Sequence, residues 1–137
     1  MDTGAGKNDR RGHTRYEVDW KASIMNKSGA AQEIYRDRIH DISLGGAGIY
    51  SDTDIFTEEQ LVILLETPLP FGRVRKVITG IECNMRKPVF LADHGKFHIG
   101  LGFVRFYGVD KHFLAEALFS LGRGDTTRNG ESGTTPQ

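Results

Sequence analysis

Apolar and polar residues alternate one by one along most of this chain. Tyr16, Val18, Trp20, Ala22 and Ile24 are interleaved with Glu17, Asp19, Lys21 and Ser23, the signature of a strand with one wet face. Val77, Thr79, Ile81, Cys83 and Met85 make a second such face, set against Lys76, Ile78, Gly80, Glu82 and Asn84. A third places Phe97, Ile99, Leu101 and Phe103 on one side with Gly100 and Gly102 opposite. Residues 61–66 are nearly continuously apolar and predict a more completely buried strand. Shorter strands are expected at 34–40 and 46–51. Turn residues separate them, from Asn26 to Gly29, at Gly45-Gly46, from Thr67 to Gly72 and from Asp93 to Lys96.

Only near the end does the period change. Val109, Phe113, Leu114, Ala117, Leu118 and Leu121 recur at three and four, with Asp110 at the favourable end of the helix dipole and Gly122 as terminator. Several antiparallel strands followed by one amphipathic helix predict a mainly β fold, a barrel or sandwich with a helical lid. Residues 1–9 and 122–137 are polar and glycine-containing and are expected to be mobile tails around one folded body. A chain of 137 residues is the usual size for one core.

Composition narrows the function. No run approaches the roughly 20 apolar residues needed to span a bilayer, so no membrane insertion is expected. The N-terminus shows no secretory pattern, and the lone Cys83 excludes an internal disulfide, which together point to the cytoplasm. With 18 basic and 18 acidic residues the net charge is zero, against a grip on a nucleic-acid polymer, which normally needs a basic excess. The charges are nevertheless uneven. Residues 51–66 are acidic and offer a possible partner surface, while basic residues gather at Arg10, Arg11 and Arg15 and again at Arg73, Arg75, Lys76, Arg86 and Lys87. Local basic clusters on a neutral protein suit a small anion.

Two constellations carry chemistry. Arg11 and Arg15 stand four apart, on one side of the chain in either a helix or a strand, with Arg10 just before them. A guanidinium fork matches a phosphate or the O6/N7 edge of guanine and can also stack on a base. The other is Asp41-Ile42-Ser43-Leu44-Gly45-Gly46. Asp41 and Ser43 point the same way along an extended chain, a carboxylate accepts from guanine N1–H and N2 amine, and Gly46 opens the backbone to a close approach or an unusual conformation. Each has an ordinary alternative: solvated surface charge for the first, a hairpin turn for the second.

Together, R-x-x-x-R before the first strand and D-x-S-x-x-G at the end of the second resemble the signature of the PilZ domain family, with Arg11, Arg15, Asp41, Ser43 and Gly46 all present. Gly100-Leu101-Gly102-Phe103 is also similar to that family's pattern, and the resemblance spans about residues 10–120. It implies a six-stranded antiparallel β-barrel with a C-terminal α-helix over 10–121, and cyclic di-GMP as ligand rather than a cofactor. It implies too that Arg11 and Arg15 take phosphate and a guanine edge while Asp41 and Ser43 face a guanine. An arginine at position 10 resembles members holding two stacked ligand molecules. The expected mechanism is ordering of residues 1–15 over the ligand, so that the new surface recruits or releases a downstream protein.

Other signals are weaker. Asp93, His94 and His98 offer metal-ligand chemistry, but zinc sites want three or four convergent ligands and no fourth partner is evident. Cys83 reads as a core thiol, and neither a phosphate-cradling loop nor a nucleophile elbow is present, so no catalytic residue is expected. The rival reading is a protein-interaction module on the same barrel, related to pilus or motility function, that binds no nucleotide.

Overall fold

The computed structural model describes residues 13–28, 33–70 and 72–122. The chain builds β1 (Tyr16–Asn26), β2 (Glu33–Ile42), β3 (Gly46–Ser51), β4 (Leu61–Pro68), β5 (Lys76–Met85), β6 (Val89–Leu91), β7 (Lys96–Phe106) and α1 (Asp110–Gly122). All pairings are antiparallel, in the order β3-β2-β1-β4-β5-β7-β6. A further pairing of β3 with β7 closes six of these strands into a barrel, and closure removes the unpaired edges that invite aggregation. This is the six-stranded barrel with a C-terminal helix that the sequence led us to expect. The seventh strand, β6, was not anticipated. It is a three-residue arm of a hairpin with β7, turning at Gly95 with φ of +65°, a conformation that glycine adopts without a Cβ clash.

Period-two patterning sends Ala22, Ile24, Ile39, Ile49, Ile63, Ile81, Ile99 and Leu101 into one continuous core. Strand β4 departs from expectation. Its apolar run predicts burial on both faces, yet Leu61, Ile63 and Leu65 are fully buried while Leu64 is exposed next to the outer surface. A barrel wall has one inside, so every second residue of even an all-apolar strand must face outward. Glu82 departs the other way. It lies on the outer face as its position predicts, but it is buried under Tyr107, whose hydroxyl donates to Oε2 at 3.0 Å, with Arg105 and Lys27 paired to the same oxygen.

Helix α1 packs on β5 and β4 through Leu114, Ala117 and Leu118. Its start is pinned because the Asp110 carboxylate accepts the Gly80 N–H at 2.8 Å, and Tyr107 N–H donates to Gly80 O at 3.0 Å. The predicted apolar stripe is therefore only partly used: Val109 and Leu121, at its ends, remain exposed. No helix among the described residues is long and apolar enough to cross a membrane.

Candidate ligand-binding site

The strand register assembles the site. Asp41 on β2 pairs with Gly48 on β3, and Gly48 pairs in turn with Gly100 on β7. One step along, Gly46 pairs with Gly102. Ala47, Ile49, Ile99 and Leu101 point into the core, so these four glycines lie on the outer face, where they leave two strands bare of side chains. The result is a trough of about 290 Å³ on the barrel wall. Arg15 and Asp41 stand at its β2 edge and Arg86, with Lys87, beyond β7, while His98 rises from β7 itself, paired with Val89. At about 4.8 Å per strand spacing, the three steps from β2 to the backbone of Arg86 make it about 14 Å across.

Asp41 and Arg15 meet here although they are 26 residues apart, with the Arg15 Nη1 donating to Asp41 Oδ1. A register shift between Glu17 and Trp20 kinks the start of β1 and brings the incoming segment beside the end of β2. The other carboxylate oxygen lies 3.7 Å from His98 Nε2. Gly48 makes room for this pair, because a Cβ there would fall 2.6 Å from Asp41 Oδ2 and 2.8 Å from His98 Nε2. Burial pushes the Asp41 carboxyl up, but hydrogen bonding and charge from His98 and Arg15 outweigh it and hold the group below the ordinary carboxylate value. Asp41 is thus an ionised, oriented acceptor with lone pairs in reserve on both oxygens.

Ser43 and Gly46 belong to the turn that follows β2. Strand β2 ends at Ile42, so the alternation that would align Ser43 with Asp41 stops one residue short of it. Ser43 is buried: its Oγ accepts the Gly45 N–H at 3.0 Å and its N–H donates to Gly46 O at 2.8 Å. Its hydroxyl shapes the turn. At Gly46, the close neighbour is Leu101 O, 2.4 Å from where a Cβ would stand, so the approach that requires glycine is that of strand β7. The expected unusual backbone conformation is not the reason, since the positive φ values occur at Gly72, Gly95 and Gly108. Arg10 and Arg11 lie outside the described residues. His13, which follows them, lays its ring against Gly45 at the turn.

Sequence reasoning named Gly100, Gly102 and His98 but did not place them beside Asp41, and it passed over Gly48. The signal was two G-x-G runs, 46–48 and 100–102, which become a trough only when β3 and β7 are in register. The weak metal-ligand signal of Asp93, His94 and His98 is matched by no cluster of three potential ligands among the described residues. His94 stacks on Tyr50 at 5.3 Å and His98 meets the same ring edge-on at 5.4 Å. Cys83 is fully buried on β5, and burial pushes its thiol up to about 12, which keeps it protonated and inert.

Comparison with known proteins bears on the fold and the family. No curated protein sequence matches the chain significantly. Among solved structures it is similar to the Bacillus subtilis inhibitor of motility MotI/DgrA, with a TM-score of 0.65 and 19% identity over 87% of this chain and 53% of that one. The chain therefore spans about half the length of that structure, and the likeness is one of fold. It is also similar, with a TM-score of 0.48 and 21% identity, to the PilZ domain of Escherichia coli YcgR solved with c-di-GMP, over 83% of this chain and 92% of that one. The family model of the PilZ domain matches residues 9–87, a stretch that holds both arginine and aspartate motifs, and the chain belongs to the PilZ domain family.

Proposed function

We propose that this protein is a receptor for cyclic di-GMP that acts as an adaptor and not as an enzyme. The observation that carries the reading is the contact of Arg15 with Asp41 at the edge of the glycine-floored trough. It joins the two halves of the family signature in one place, a cation suited to phosphate beside a carboxylate suited to guanine. PilZ domains are ligand-binding and adaptor modules, which agrees with an inert thiol and a site built for recognition.

In this reading Asp41 accepts guanine N1–H and N2–H, and Arg15 either shares its carboxylate oxygen or swings to a phosphate. Gly46, and Ser43 through its turn, hold the trough open beneath the ligand. Arg10 and Arg11 add cationic contacts from the N-terminal segment, with Arg10 favouring a second, stacked ligand molecule. Because His13 rests on the 43–46 turn, and His13, Thr14 and Tyr16 share a cleft with Leu118 and Phe119 of α1, closure of residues 1–15 over ligand would reshape the surface beside the helix. That surface is where a downstream protein would read the state.

Isothermal titration of the full chain with cyclic di-GMP tests the proposal. Saturable binding is expected, and Arg15→Ala should lose about 1.5–3 kcal/mol of charge-assisted hydrogen bonding, about ten- to a hundred-fold in affinity. A stoichiometry near two would support the stacked pair. Absence of heat and of NMR shift changes would reject the receptor reading in favour of the interaction module, and unaltered binding by Arg15→Ala would reject the assigned roles.

A further inference from the structure

The far wall of the trough holds a cation that the family signature leaves out. Arg86 follows directly on β5, and its N–H donates to Gly100 O at 2.8 Å, which fixes its backbone against the trough floor. From there the side chain runs across the bare glycines of β7. A Cβ on Gly100 would stand 3.4 Å from Arg86 Cδ, and one on Gly102 would stand 3.1 Å from Nη2. Its guanidinium is thus laid along the backbone of β7 in a place that any larger residue at Gly102 would contest. It also forms no ion pair or side-chain hydrogen bond among the described residues, whereas Lys27, Arg36, Arg38, Lys76, Lys96 and Arg105 each face a carboxylate.

An unpaired arginine on a surface is ordinary, and by itself means little. This one is a wall of a concave site whose opposite wall is Arg15 and Asp41. The trough is lined by three permanent cations, Arg15, Arg86 and Lys87, and one carboxylate, Asp41. Within the protein Asp41 is already matched by Arg15, which leaves the charge of Arg86 and Lys87 without a counterpart. Two positive charges facing a cleft on a neutral protein call for a ligand that brings two negative ones. A guanidinium held against a flat strand also presents its in-plane N–H fork, the geometry that binds a phosphate in bidentate fashion.

Resting on the cyclic di-GMP reading above, we infer that Arg86, flanked by Lys87, is a phosphate-binding residue of the site, supplied by the barrel wall and not by the N-terminal segment. Ligand would then bridge the trough, guanine toward Asp41 and one phosphate toward Arg86.

Titration of Arg86→Ala with cyclic di-GMP tests this, with thermal unfolding as a check on folding. The expected result is an unchanged Tm and a ten- to a hundred-fold weaker affinity, with Arg86→Lys recovering only part because an ammonium has no fork. Raising the salt concentration should weaken wild type more than Arg86→Ala, since one charged contact has gone from the variant. Binding by Arg86→Ala within twofold of wild type, while Arg15→Ala is impaired, would overturn this inference and leave the receptor reading standing. Failure of wild type itself to bind would remove both.

Discussion

Replacing Gly46 with alanine separates two explanations of the most closely approached glycine among the described residues. A Cβ at this position would lie 2.4 Å from Leu101 O, whereas such atoms essentially never approach closer than 3.0 Å, so β3 and β7 must part by at least 0.6 Å. Neither side yields easily. Leu101 is 2% exposed in the core, Phe103 N–H donates to Gly45 O at 2.9 Å, and Ser43 N–H is tied to Gly46 O at 2.8 Å. The strain falls on the seam that closes the barrel, which runs from Gly46↔Gly102 to Ser51↔Phe97. Overpacking of this kind costs about 1–3 kcal/mol, and the stiffer unfolded chain of the alanine variant returns about 0.4–1 kcal/mol. The net loss centres on about 1.3 kcal/mol and is at most about 2.6 kcal/mol, and the central value lowers the Tm of a domain of this size by about 4–6 °C. Differential scanning calorimetry reads it directly. Gly95→Ala is the comparison: its φ of +65° strains alanine by about 1–2 kcal/mol in open space, far from the seam. If Gly46→Ala kept the wild-type Tm and lost only ligand affinity, the glycine would serve the ligand's approach and our account of it would be wrong.

Two further outcomes follow from the buried groups. Asp41 and Glu82 both sit below the ordinary carboxylate value, held there by their cationic partners against burial, so each contributes stability that is fully present above pH about 4 and is lost as pH falls through the lowered values. Thermal unfolding across about pH 7 to 3 should therefore show Tm falling toward acid, less steeply in Asp41→Asn; equal slopes would exclude a contribution from Asp41. Cys83, with its thiol raised to about 12 by burial, should resist a thiol reagent in the native protein at pH about 8 and react fully once denatured, and stoichiometric labelling of the folded chain would contradict its burial.

How far the sequence reads depends on the range of the interaction involved. Ala22, Ile24, Ile81 and Ile99 declare their inward face because alternation is local, and the helix announces itself by a change of period. The motif residues could be picked out in the same way, but not their tasks. Ser43 stands two from Asp41 in the sequence, but that β2 ends at Ile42 and that the Ser43 hydroxyl accepts the Gly45 N–H is seen only in the folded chain. Leu64 looked buried because its neighbours are apolar, while the curvature of a closed wall leaves it outside.

By itself, then, the order of residues determined which positions are strand and helix, which faces are dry, and that two arginine- and aspartate-bearing stretches belong to one recognisable signature. Tertiary structure alone decided that Arg15 touches Asp41, that Gly46 and Gly48 lie opposite Gly102 and Gly100, and that Arg86 crosses their bare backbone. The physical reason is that strand pairing joins residues far apart in the chain, and its register depends on bulges and on how the barrel closes. Periodicity is carried by neighbours, whereas a site made between β2, β3 and β7 exists only once all three are in place.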